Sequence, residues 1–193
     1  FHSGDVNMTG ALTSDTLVKN KARGYIFGDG SFNLKSDYKL SFDLEAVMDE
    51  AYLSDYTVSQ KDRLDSSISI SRARQNKYFL AELLNYDSLR PTEDNASLPR
   101  FILDLSKEQR FFPSRLGGET RVLLEAHTHI RASKTDITGR DVTRANAELS
   151  WRRRWTLPYG LRTGVIGRID LDAYTNAQDS AFTKTVARAV PEV

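Results

Sequence analysis

The chain has 193 residues, a formal net charge of +1 and no cysteine. Near-neutral charge argues against nucleic acid as a main partner, since phosphate binding needs a basic surplus, and the lack of Cys excludes disulfides, thiolate zinc sites and cysteine nucleophiles. Mean hydropathy is −0.48, and no apolar run approaches the roughly 20 residues that a membrane-spanning helix needs, but a strand that meets lipid on one face only is compatible with such an average.

In chain order, period-2 alternation predicts about ten strands, near 5–12, 22–34, 39–47, 62–72, 77–89, 97–110, 119–131, 142–156, 161–174 and 182–193. Alternation puts an apolar and a polar face on each strand. In the second, Gly24, Gly28 and Gly30 share a face with Ala22 and Ile26, while Tyr25 and Phe27 point the other way, so its orientation stays open. The third carries Leu40, Phe42, Leu44 and Ala46 against Ser41, Asp43 and Glu45. The segment Tyr78–Leu84 has some helical character, but turn signals on both sides make it a strand. Val122, Leu124 and Ala126 oppose Arg121, Glu125, His127 and His129 in the seventh. Leu161, Val165 and Ile169 oppose Arg162, Arg168, Asp170 and Asp172 in the ninth.

The connections alternate in kind. Short turns fall near Lys35–Asp37, Arg74–Asn76, Pro113–Gly118 and Pro158–Gly160, and longer polar loops near Met48–Lys61, Arg90–Ala96, Ala132–Asp141 and Thr175–Ala181. Long two-faced strands with short turns at one end and long loops at the other are the pattern of an outer-membrane barrel. The expected fold is all-β: an antiparallel up-and-down meander, curved and open, with unpaired first and last strands. Leu40, Phe42, Leu44, Val122, Leu124, Trp151, Trp155, Leu161, Val165 and Ile169 are expected on its convex face. Arg121, His127, Glu148, Arg162, Arg168 and Asp170 are expected on its concave face.

Trp151, Arg153 and Trp155 share the apolar face beside the turn Pro158–Gly160, which suits a lipid interface: tryptophans form a girdle there and an arginine can snorkel to phosphate. A soluble sandwich with a Trp-rich core edge is the alternative, and it would need a buried partner for Arg153. Val165 is expected deeper in the membrane than Arg153. Arg121, His127, Arg131, Arg162, Arg168 and Asp170 are the lumen-facing candidates. His127 and His129, with Glu125, have a spacing that can bind metal, but the plainer reading is polar lining. The glycines of Gly24–Gly30 lack the Lys-Ser/Thr of a phosphate loop. No catalytic, cofactor or metal site is expected.

Asp49-Glu-Ala-Tyr52-Leu53-Ser54-Asp55-Tyr56, then Asp62-Arg-Leu-Asp-Ser66 opening the next strand, resembles the early barrel of the LptD (organic solvent tolerance protein) family. Trp151-Arg-Arg-Arg-Trp155-Thr-Leu-Pro158 and Gln178-Asp-Ser-Ala-Phe182 are similar to its alphaproteobacterial members. The resemblance implies residues 1–193 to be part of an outer-membrane barrel of about 26 strands. A periplasmic jellyroll and C-terminal strands would lie outside this chain. The start at Phe1, with no leader, likewise reads as a fragment. The implied function is insertion of lipopolysaccharide into the outer leaflet, without catalysis. The implied partners are lipopolysaccharide, outer-membrane lipids, an LptE-like lipoprotein plug and the periplasmic Lpt bridge. The family's cysteines have no counterpart here, and no proline precedes Pro91, so neither its redox switch nor its gate prolines carry over. A porin-like channel or a soluble β-sandwich binding module are the alternative functions.

Overall fold

A computed structural model describes residues 3–14, 22–182 and 185–192. They form one ten-stranded sheet in which each strand pairs antiparallel with its sequence neighbours, in the order β1 to β10. The strands are β1 (Ser3–Ser14), β2 (Ala22–Asn33), β3 (Tyr38–Val47), β4 (Arg63–Arg74), β5 (Lys77–Ser88), β6 (Pro99–Phe111), β7 (Glu119–Arg131), β8 (Asp141–Thr156), β9 (Arg162–Ala177) and β10 (Thr185–Glu192). The fold is the expected all-β meander, open at β1 and β10. Part of the strand expected at 182–193 (183, 184 and 193) lies outside the described residues. Boundaries move by a few residues: β1 is longer than 5–12 at both ends, and β9 runs past 174 to Ala177. Tyr78–Leu84 is strand. The one α-helical element among the described residues is a single turn, α1 (Tyr52–Asp55), inside the loop from β3 to β4.

The register explains why alternation governs the whole sheet. Directly paired residues point to the same face, so faces can be traced from strand to strand. Leu40 pairs with Ile70 and Ile70 with Ala81. Ala81 pairs with Leu105, Leu105 with Ala126, Ala126 with Ala145 and Ala145 with Ala173. One apolar face therefore crosses eight adjoining strands from Leu40 to Ala187. The other face runs from Asp29 and Asp43 through Ser69, Glu82, Asp104, His127 and Arg144.

The glycines of β2 settle its orientation. They lie on the apolar face, where larger side chains from β1 and β3 cover them. A Cβ on Gly30 would stand 2.5 Å from the Phe42 ring. Tyr25 and Phe27 go to the polar face, where they meet the helical turn. Prolines sit where a ladder tolerates them: Pro99 opens β6 next to a register shift, and Pro191 lies on the edge strand β10.

Among the described residues only four hydrophobic ones are buried: Tyr52, Leu53, Leu64 and Leu89, with Tyr25, Phe27 and Val47 packed against them. They lie by the long loops and not between layers. Across the apolar face large side chains stay open, Leu149 at 49% and Ile169 at 46%. A second sheet, which a β-sandwich requires, is absent among the described residues.

Candidate functional site: two faces and two rims

The polar face of β6 to β10 is a lattice of alternating charge. Arg121 lies between Glu108 (2.8 Å) and Glu148 (3.3 Å), and Arg168 bridges Glu148 (3.4 Å) and Asp170 (2.7 Å). Toward the short turns Glu119 holds Arg152 at 2.7 Å. Toward the long loops Asp172 takes Arg144 at 2.8 Å and Arg188 at 3.3 Å. Apart from Arg168 with Asp170, both on β9, each pair joins neighbouring strands, so the lattice depends on the register rather than on any sequence motif. Beside it a depression of about 470 Å³ is lined by Leu80, Asp104, Glu125, His127, Asn146 and Asp170, among others.

The lumen-facing candidates divide into three groups. Arg121, Arg168, Asp170 and His127 meet in this central zone. His127 Nδ1 lies 2.6 Å from Asp104 Oδ1, while its ring centroid is 5.9 Å from that of His129 in an edge-on arrangement. No group of three or more His, Asp or Glu able to hold a metal exists among the described residues. Arg131 is drawn off the face into the loops: its Nε donates to Ser97 O at 3.0 Å, and a second guanidinium N–H to Arg140 O. Arg162 sits at the opposite end, across from Thr156 and beside the turn 157–161.

The two rims differ in construction. At the long-loop rim, neighbouring loops are tied in series. Buried Arg23 donates to Asp49 (2.8 Å) and Asp55 (2.7 Å), and its guanidinium carbon lies 5.5 Å from the Tyr52 ring centroid and 5.7 Å from that of Tyr56. This fastens the loop 48–62 over Tyr25. Lys61 pairs with Glu45. Arg90 Nε reaches Asp62 at 2.7 Å, linking that loop to the next, 89–98. Ser133 N–H donates to Ala96 O at 2.7 Å. Arg140 then pairs with buried Asp179 at 2.7 Å, and Asp136 accepts from Ser180 N–H at 2.9 Å, which joins 132–140 to 178–182. These bonds favour the charged carboxylates. The Arg23 guanidinium holds Asp49 below its ordinary range, Arg90 does the same for Asp62, and Ser180 for Asp136. Glu93 is lowered by Ser88 and then by Arg90, and Glu45 raises Lys61.

At the short-turn rim Arg74 pairs with Asp37 at 2.6 Å, and the apolar face supplies the ties of the turn 112–118. Trp151 Nε1 donates to Gly117 O at 2.9 Å, and Arg153 Nη1 to Leu116 O at 2.7 Å. The Arg153 guanidinium carbon lies 5.1 Å from the Trp155 ring centroid. The three sequence-predicted residues therefore come together. The expected depth of Val165 is corrected: it pairs directly with Arg153, so the two stand at one level, and Ile169, opposite Leu149, is the deeper residue. The turn 157–161, seen in the sequence, cannot by itself fix this register.

Sequence reasoning missed the Arg23 anchor and the linking of the loops. One signal was available: Arg23, Tyr25 and Phe27 share a parity, and Asp49, Tyr52, Asp55 and Tyr56 cluster in one loop. The loop-to-loop bonds have no comparable local signal.

The sequence model of one protein family, described as LptD: LPS transport system D, matches residues 21–193. No curated protein matches the chain.

Proposed function

Because the chain belongs to the LptD family of outer-membrane lipopolysaccharide transport proteins, we propose that its ten described strands are a section of the barrel wall of the translocon that inserts lipopolysaccharide into the outer leaflet. The apolar face meets lipid and the charged face lines the lumen. The observation that carries this reading is the separation of an apolar from a charged face across eight strands, with large apolar side chains open on one of them. In water, a contiguous apolar surface of this size on a single sheet is a liability. In a bilayer it is what holds the sheet in place.

The role is carriage and assembly, with no covalent step. A hydrated lumen lined by Arg121, Arg168 and Asp170 can solvate phosphate and sugar, while acyl chains pass to the membrane side. Because these charges already satisfy one another, they make a polar surface with no deep trap, which suits a path that substrate must leave. The long loops face outward, and the parent protein supplies the contacts to a lipoprotein plug of the LptE kind and to the periplasmic bridge. Trp151, Arg153 and Trp155 lie on the lipid side at the periplasmic end.

Two positions on β8 test the assignment of faces. Arg144→Cys, on the charged face and half exposed, and Leu149→Cys are made in the full-length protein, with any other cysteine removed, and labelled in intact outer membranes. A water-soluble maleimide is expected to label position 144, and a lipid-soluble reagent position 149. The reverse pattern, or water-soluble labelling of both, overturns the reading.

A further inference from the structure

The short turns do not simply end the strands. The turn 112–118 is bent onto the apolar face, because the two side chains that hold it, Trp151 and Arg153, belong to that face. Gly118 permits the approach: its φ is +76°, and a Cβ there would stand 2.3 Å from the Arg152 carbonyl oxygen. A turn folded this way carries backbone carbonyls toward hydrocarbon, where each needs a donor. Leu116 O and Gly117 O have theirs in Arg153 and Trp151. The turn leaves Leu116 64% exposed.

The adjoining turn extends the same surface. Leu157 N–H donates to Leu161 O at 2.7 Å, and both residues keep the apolar parity of β8 and β9 beyond Trp155. At about 3.3 Å per residue, Leu157 stands roughly 13 Å along the strand from Arg153. Tyr159 at the tip has φ +66° and an entirely exposed side chain. An aromatic residue held in the left-handed region without packing is strained, and an amphipathic ring of this kind finds its partner in a bilayer interface. The Arg153 guanidinium leans over Trp155, and among the described residues no carboxylate pairs with it. A cation on an apolar face without a counter-ion is costly.

Resting on the assignment of this face to lipid, we propose that the turns 112–118 and 157–161 form a docking site for an anionic phospholipid of the periplasmic leaflet. Its phosphate is held by the Arg153 guanidinium beside Trp155 and Leu116 O, its acyl chains run inward over the apolar face past Leu149, and the turn 157–161, with Tyr159 at its tip, stands in the headgroup layer. Continuity with the apolar face and the unpaired charge of Arg153 identify the occupant as a membrane phospholipid.

The test uses full-length protein reconstituted in phosphatidylethanolamine vesicles with or without phosphatidylglycerol. Environment-sensitive labels are placed singly at Leu116→Cys, Tyr159→Cys and Leu149→Cys. Labels at 116 and 159 are expected to be quenched by a headgroup-level lipid nitroxide and shielded from iodide. The label at 116 is expected to shift to the blue when phosphatidylglycerol is added. Arg153→Gln should abolish that shift with the protein still folded by heat-modifiability. Trp151→Phe should return the label at 116 to water. If 116 and 159 are aqueous while 149 is in the bilayer, the docking site is wrong and the lipid face stands. If 149 is aqueous too, the reading of the face itself fails. A phosphatidylglycerol response that survives Arg153→Gln also overturns the site.

Discussion

The two ends of this sheet solve the problem of loose strand ends in opposite ways. At the long-loop rim, charge pairs and backbone hydrogen bonds join each loop to the next, from Arg23 with Asp49 and Asp55, through Arg90 with Asp62, to Arg140 with Asp179. At the short-turn rim, aromatic and aliphatic side chains remain outside and two side-chain donors, Trp151 and Arg153, hold a turn. The contrast tells what surrounds each end. Ion pairs with a water-exposed partner are worth little singly, but a chain of them, with the small cluster around Tyr52 and Leu53, orders the long loops. Exposed leucine and tyrosine suit a boundary with lipid. On the proposed orientation, one sheet meets water at one end and a lipid interface at the other.

The largest expected effect lies between the rims. Ile169→Arg places a charge on the apolar face well inside both ends, and should cost about 2–4 kcal/mol if that level is near the bilayer midplane. Asn146→Arg, on the charged face of β8, should be tolerated. The fraction of folded, heat-modifiable protein in outer membranes measures both. Equal loss for the two would break the distinction between faces on which the comparison of rims depends.

The next effect tests the long-loop rim. Arg23→Ala removes a buried guanidinium from two carboxylates that are themselves about a third exposed. Breaking a fully buried pair costs about 3–5 kcal/mol; with water reaching both acids, about 2 kcal/mol is expected here. The loss should be local: limited proteolysis is expected to cut in 48–62 while the turn 112–118 stays protected. Cleavage at both would mean that the rims are not independent.

These outcomes bear on what the sequence could tell. Strand number, face assignment and the alternation of turns were legible because a period of two is written into every strand, as in Leu40 to Ala46. Trp151, Arg153 and Trp155 were legible as a group because they share one strand and one parity. Contacts that depend on register were not. That Val165 stands opposite Arg153 follows from how β8 and β9 are set against each other, and the turn composition Pro158-Tyr-Gly160 admits more than one setting. The Arg121–Glu148–Arg168 lattice is non-local for the same reason. Arg131 was legible as polar-facing, but its capture by Ser97 and Arg140 depends on loop conformations that carry no periodicity.

A smaller effect sharpens the short-turn rim. Trp151→Phe keeps an aromatic side chain and removes the donor to Gly117 O, leaving that carbonyl without this partner, at a cost of about 1 kcal/mol. Unfolding of the reconstituted protein in urea should show a reduced midpoint, and hydrogen exchange should rise in 112–118 only. Exchange rising in 132–140 instead would place the tie at the wrong rim.

The smallest effect separates the rims by pH. Asp49, Asp62, Glu93 and Asp136 titrate below their ordinary values of 3.8 and 4.5 because each accepts bonds that its charged form strengthens. A depressed folded value means that the folded state resists protonation. The contribution is therefore complete above the ordinary value and is lost as pH falls through the folded one. Lys61 is raised from 10.5 by Glu45, so its contribution is complete below that value and lost only at still higher pH. The long-loop rim should thus be indifferent to pH between about 5 and 9 and should loosen below about 4. The turn 112–118 at the short-turn rim is held by an indole N–H and a guanidinium, neither of which titrates there. Cleavage by pepsin across an acidic series, read at 48–62 and 132–140 against 112–118, measures the difference. Because Asp62 and its partner Arg90 are exposed, high salt should weaken that bond at neutral pH. Acid that opens 112–118 together with the loops would show that one network holds both ends, and the comparison would fall.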